Sequence, residues 1–392
     1  MKKIVLHTLG ILSFSVFIFS KSNAQNVGIN ATGALPDGSA ILHVDVGTST
    51  TKGLLVTGTY NAFGTVPDLG AGSRLMFYPA KSAFRAGNVS GTQWDNSNTG
   101  QFSVAIGNNT TASGANSAAI GASTTASGDN STAMGTGTVA NSNSSTAIGR
   151  FTTASGIYSF ATGNSTIASG NSSTAIGNFT RANGIYSFAT GNSTTASGTS
   201  STAMGSSVST NNKTGAFIIG DAFGTGSASS ADNEMTMGFS GGYRLFSNQL
   251  ATTGVFLLPN GNAWVSVSDV NRKENFEPLN GEEVLQKFSK IKFTSWNYKQ
   301  QDPKIYRHYG IMAQDFYKAF GHDQFGVVGN DTTVNPIDMI GIDMTAIQAL
   351  EKRTADLQHE NENLKVSLGE LQNKFAAQQK LIEQILNKTK DQ

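Results

Sequence analysis

The chain has 392 residues, with 27 basic and 26 acidic side chains and no cysteine. The near balance of charge leaves no nucleic-acid footprint, and the missing thiols exclude disulfides and thiolate zinc sites. Five histidines (His7, His43, His308, His322 and His359) stand at no ligand spacing, so neither a metal nor a cofactor is expected.

Residues 1–24 read as a secretory signal peptide. Lys2 and Lys3 open it, an apolar run spans about Ile4 to Phe19, and Ser22-Asn23-Ala24 offers small residues for cleavage before Gln25. The run is short and is interrupted by His7, Thr8 and three serines, which argues against a membrane anchor. The mature chain is therefore expected to be secreted or held at the cell surface, with no membrane span. Residues 25–100 are rich in Gly, Ser and Thr around short apolar pieces such as Ala40-Ile41-Leu42-His43-Val44, and they predict short strands and loops.

A repeat occupies 101–210. Eight five-residue strands (SVAIG, SAAIG, STAMG, STAIG, SFATG, STAIG, SFATG and STAMG) end at Gly107, Gly121, Gly135, Gly149, Gly163, Gly177, Gly191 and Gly205, each 14 residues after the last. A second glycine row runs from Gly114 to Gly198 at the same period, with Ser142 in its one vacant slot. A fixed short period with glycine at each corner predicts a β-solenoid of one coil per 14 residues. Alternation within STAIG puts Thr146 and Ile148 on the face opposite Ala147, one face small and the other larger. Only Asp129, Arg150 and Arg181 are charged in this region, and no proline interrupts it. A glycoside-cleaving site commonly needs two carboxylates, so catalysis on sugars is not expected in the roll. The surface rows of Thr and Ser read as a solvated β surface.

Residues 211–267 form a β transition segment with strand-like GAFIIGD and FSGGYRLFSN. Charge then rises sharply: 268–392 hold 34 of the charged residues, which marks a domain boundary. This region opens with Ser268-Asp269-Val270-Asn271-Arg272-Lys273. A serine and a lysine five residues apart can form a dyad if the chain folds back between them. The same spacing also suits an exposed charged turn. From Ile347, Leu350, Thr354, Leu357, Asn361, Leu364, Leu368, Leu371, Phe375, Gln378, Ile382 and Ile385 step by threes and fours, a coiled-coil signal over 347–392. Asn361 at a seam position would fix the register.

The repeat resembles the head of YadA-like trimeric autotransporter adhesins, whose 14-residue units form a left-handed β-roll in a trimer. It departs from them in that no membrane β-barrel anchor follows. The SDxxxK start, HYGIMAQDF (308–316) and the AIQAL helix occur in an order that resembles the endosialidase-type intramolecular chaperone domain of phage tail-spike and fibre proteins, over 268–392. That resemblance implies trimer assembly followed by self-cleavage between Val267 and Ser268, with Ser268 as nucleophile and Lys273 as its base. Asp269 and Arg272 are read as structural, and Gln314 and Asp315 carry no assigned step.

The expected fold is mainly β: a trimeric left-handed parallel β-roll of 14-residue repeats, then a small α+β chaperone domain at 268–346 and a trimeric coiled coil. The expected function is an exported, homotrimeric, adhesin-like surface fibre whose chaperone acts once, on itself, as a serine peptidase. A host or surface glycan or protein is its expected ligand. The alternative is a tail-spike-like enzyme that binds or degrades polysaccharide and uses the same chaperone. Neither the ligand nor the attachment to the cell is legible in the residues.

Overall fold

Small side chains at fixed intervals let the backbone stack on itself coil by coil. The computed structural model describes residues 26–30, 32–49, 51–221 and 228–390; the segment 1–24, read from the sequence as a signal peptide, lies outside them. The described chain divides into two units: one runs to Arg244 and includes Phe256–Trp264, and the other comprises Leu245–Val255 and the chain from Val265 onward.

In the first unit each repeat makes one coil. A five-residue strand such as Thr146–Arg150 joins a 12-stranded sheet, and a two-residue strand such as Thr153–Ala154 joins a seven-stranded sheet. Pairing is parallel and displaced by one repeat, with Ala147 opposite Ala133 and Ala161. The alternation read from the sequence holds. Ala147 is fully buried, whereas Ile148 is exposed on the outer face. The interior is therefore two rows of alanine, from Ala105 to Ala203 and from Ala112 to Ala196, flanked by buried serines and threonines. Close stacking explains the glycines. Gly163 has φ +124, and a Cβ there would collide with the carbonyl oxygen of Gly177 in the next coil. Ser142 is accommodated because its coil adjusts: its N–H turns to Ser145 Oγ, at 3.3 Å, while its own Oγ donates to Ser155 O, at 2.6 Å.

The wide sheet continues past the repeat at both ends. Ala83–Val89 pairs in parallel with the first repeat strand, and Gly72–Tyr78 pairs antiparallel to it at the edge. At the other end Phe217–Gly220 and Met235–Gly238 extend the sheet. Larger residues close the alanine-lined interior. Trp94 is fully buried and donates from Nε1 to Thr110 O, at 2.9 Å. Arg85 is also fully buried, and its guanidinium donates to the carbonyls of Phe84, Ser103 and Ala112 and to Ser103 Oγ. Burial pushes its pKa down to about 10. Ile218 takes the place of alanine opposite Ala203, with Val208 buried beside it in the same core.

The second unit is a small α+β domain that runs into a long helix. Helix α1, Gly281–Phe288, is capped by Asn280, whose side chain accepts from the N–H groups of Glu282 and Glu283. The strands Thr294–Trp296 and His308–Gly310 pair antiparallel, and α2, Ala313–Phe320, follows. Helix α3, Pro336–Lys390, starts eleven residues before the expected coiled coil. It packs on α1 through Ala346 and Ala349, and Arg353 pairs with Glu282. Among the described residues no helix is long and apolar enough to cross a membrane.

Candidate functional site

Ser268 lies just beyond the short strand Trp264–Ser266, and the chain reverses at once. The reversal is a 3-10 turn at Val270–Arg272. Asp269 caps it: its Oδ1 accepts from Asn271 N–H at 2.9 Å and from Asn271 Nδ2 at 3.0 Å. Those hydrogen bonds, the backbone one foremost, hold the Asp269 carboxyl below its ordinary pKa, and Arg272 assists from 4.0 Å. The turn closes through Arg272 N–H to Asp269 O, at 3.0 Å, and Lys273 N–H to Val270 O, at 3.3 Å.

The consequence is a contact between the two sequence-selected residues. Lys273 Nζ donates to Ser268 Oγ at 2.7 Å. A separation of five residues reaches this distance only because the turn folds the intervening chain back. The structure thus gives Asp269 and Arg272 the structural place read for them: one caps the turn and the other pairs with the cap. Ser268 and Lys273 are both exposed in the single chain.

They sit in a groove of about 630 Å³ together with Val267, Asp269 and Arg272. The groove is also lined by Thr252–Val255 and by Asn335, Ile337 and Asp338 around the start of α3. Sequence reasoning did not find that lining. Nothing in spacing or composition ties residues 335–338 to Ser268. Gln314 and Asp315 are not brought to this groove. Gln314 lines another one with Trp296, Asn297 and Thr332, and Asp315 lies in the first turn of α2.

Two family descriptions match the chain. Residues 268–323 match the chaperone of endosialidase, so the match begins at Ser268 itself and stops before α3. Residues 99–124, 126–152, 154–180 and 182–207 match the YadA head domain repeat. No curated protein matches the chain significantly. The adhesin repeats point to a surface or extracellular location, and both domain types imply a homotrimer. The chain thus joins YadA head repeats to a chaperone of endosialidase domain, the architecture of a trimeric, adhesin-like protein that carries its own assembly chaperone.

Proposed function

We propose that this is an exported adhesive fibre whose chaperone domain, once the trimer has assembled, cuts itself off between Val267 and Ser268. The 2.7 Å contact between Lys273 Nζ and Ser268 Oγ at the first residue of the chaperone match carries this reading. In the proposed reaction Ser268 Oγ attacks the carbonyl carbon of Val267. Lys273 takes the hydroxyl proton and then delivers a proton to the departing amine of Ser268. The C–N bond breaks as the C–O bond forms, leaving an ester that water hydrolyses to the Val267 carboxylate and the Ser268 hydroxyl. Attack within one chain lets positioning supply much of the barrier reduction.

The dyad contact is already made in one chain, so assembly must contribute something else. A lysine serves as a base once burial or a neighbouring cation favours its neutral form. Both dyad residues are exposed in the single chain, and closure of the groove by neighbouring copies supplies that burial. Apolar surface available for such assembly is present in both units. The wide sheet turns Ile106, Met134 and Ile148 outward, and α3 leaves its leucine seam exposed. Removal of residues 1–24 on export belongs to the same reading.

Intact mass of the purified secreted protein tests it. Wild type should give a piece comprising residues 268–392 and a partner piece that starts at Gln25. Ser268→Ala should give an uncut trimer. Lys273→Arg should also stay uncut, because arginine remains protonated at working pH. Release of the 268–392 piece from Ser268→Ala would transfer the cut to an outside protease.

A further inference from the structure

The roll carries a second repeat that its 14-residue period hides. Residues 151–165 read FTTASGIYSFATGNS and 179–193 read FTRANGIYSFATGNS, 28 residues apart. Two coils separated by one therefore carry the same corner, Ile157–Tyr158 and Ile185–Tyr186. This corner has a positive φ in every coil. Asn116, Asn130, Ser144, Ser172 and Ser200 hold it at φ 54 to 58, Phe102, stacked on Tyr60, at φ 56, and Tyr158 and Tyr186 at φ 58. Asparagine and small polar residues suit that backbone, and a bulky aromatic does not. Burial does not offset the strain: Tyr158 is 69% exposed and Tyr186 66%, beside Ile157 at 42% and Ile185 at 44%.

The corner is rigid. Ser172 N–H donates to Ile157 O at 2.7 Å, Tyr186 N–H to Asn171 O at 2.9 Å, and Asn171 Oδ1 accepts from Ile157 N–H at 3.1 Å. Coils stack at the spacing of paired strands, so the two tyrosines stand about 9.6 Å apart with Asn171 and Ser172 between them. Nearby charge is absent from this row, where Asp129 is two coils before Ile157.

We propose that this ledge binds an uncharged polysaccharide. Its occupant must offer flat apolar faces at every second unit and hydroxyls between them. Alternate rings of an extended neutral sugar chain do so. Two rings lie on Tyr158 and Tyr186, and the intervening ring meets the amide of Asn171 and the hydroxyl of Ser172. Pre-set aromatic side chains contribute contact area with little loss of rotamer freedom. The inference rests on the adhesive-fibre reading and gives that fibre a ligand class and a place to hold it.

The test is affinity electrophoresis of the full trimer in gels containing hydroxyethylcellulose, xyloglucan or soluble starch, with carboxymethylcellulose as the charged counterpart. The double variant Tyr158→Ser, Tyr186→Ser is matched to the serines that already fill this corner, so the roll should remain folded. Wild type should be retarded by at least one neutral polymer, and the double variant should lose about tenfold in affinity or more. Absence of retardation by all three neutral polymers, or equal retardation of the double variant, overturns the proposal. Loss of the trimer in the double variant also overturns it, by making the ledge a contact between copies. Light scattering of the wild-type sample reports separately on the trimeric fibre, so failure of that reading is distinguishable.

Discussion

Within the roll, a single chain buries both interior alanine rows completely, from Ala105 to Ala203 and from Ala112 to Ala196. Along α3, Leu364 remains 60% exposed and Leu371 64%. Both regions are periodic, but their periods serve different partners. The 14-residue period returns the chain beside itself, so each coil supplies the next with hydrogen bonds and side-chain contacts. The three-four period of α3 gathers leucines into a stripe along one continuous helix that cannot fold back on itself. One period specifies a self-contained core; the other specifies a surface that needs other copies. The chaperone match lies upstream of that helix, which places an assembly-type domain next to the part most dependent on assembly.

The largest effect should come from the seam. Leu364→Ala with Leu371→Ala removes two side chains from every copy, at about 2–5 kcal/mol each once buried. Light scattering should then show loss of the trimer, while circular dichroism still reports the β signal of the roll. A double variant that remains trimeric would show that α3 is not the surface on which copies meet. Next is Gly163→Val, which combines a φ of +124 with a collision against the Gly177 carbonyl. It should cost about 4 kcal/mol or more and unfold the roll well below its wild-type melting temperature. An unchanged melt would break the view that close coil stacking dictates the glycines.

Trp94→Ala opens one end of the roll by emptying a fully buried site. A loss of about 3–5 kcal/mol is expected, with amide exchange accelerating first in the coils nearest residue 104. Exchange that accelerates evenly along the roll would mean that the plug does not protect one end in particular. The smallest effect has the opposite sign. Thr152 is fully buried and its hydroxyl has no hydrogen-bond partner among the described residues. Thr152→Val keeps the shape and removes the unpaired group, so a gain of about 1 kcal/mol is expected by denaturant titration. Destabilisation by that change would reveal a hydrogen bond that the hydroxyl makes in the assembled fibre.

Much of the roll was legible because its contacts lie one period apart. Once the glycines set the 14-residue spacing, the pairing of Ala147 with Ala161 and their common face followed from alternation, and the structure showed that face to be the inner one. The ends were not legible. Arg85, Trp94 and Ile218 lie outside the repeat and Val208 replaces the threonine of its row in the last coil, and they close the core because of where the alanine rows stop. The candidate site divides in the same way. Ser268, Asp269 and Lys273 lie within one short turn, so a local chain reversal is enough to bring Lys273 to Ser268, but the reversal itself and the cap at Asp269 come from the structure. The lining from Asn335, Ile337 and Asp338 comes from more than 60 residues away, and no local pattern announces it.

By itself, the sequence determined the coil length, the division of each strand into a small and a larger face, and the seam of α3, and it offered Ser268 and Lys273 as a candidate pair. Each of these depends on neighbours at a short or repeating separation. Only the tertiary structure decided how the roll is plugged, where α3 begins, which distant residues line the groove of Ser268, and that Gln314 stands elsewhere. Those features depend on contacts between distant segments, whose meeting is fixed by the packing of the whole unit and not by any period along the chain.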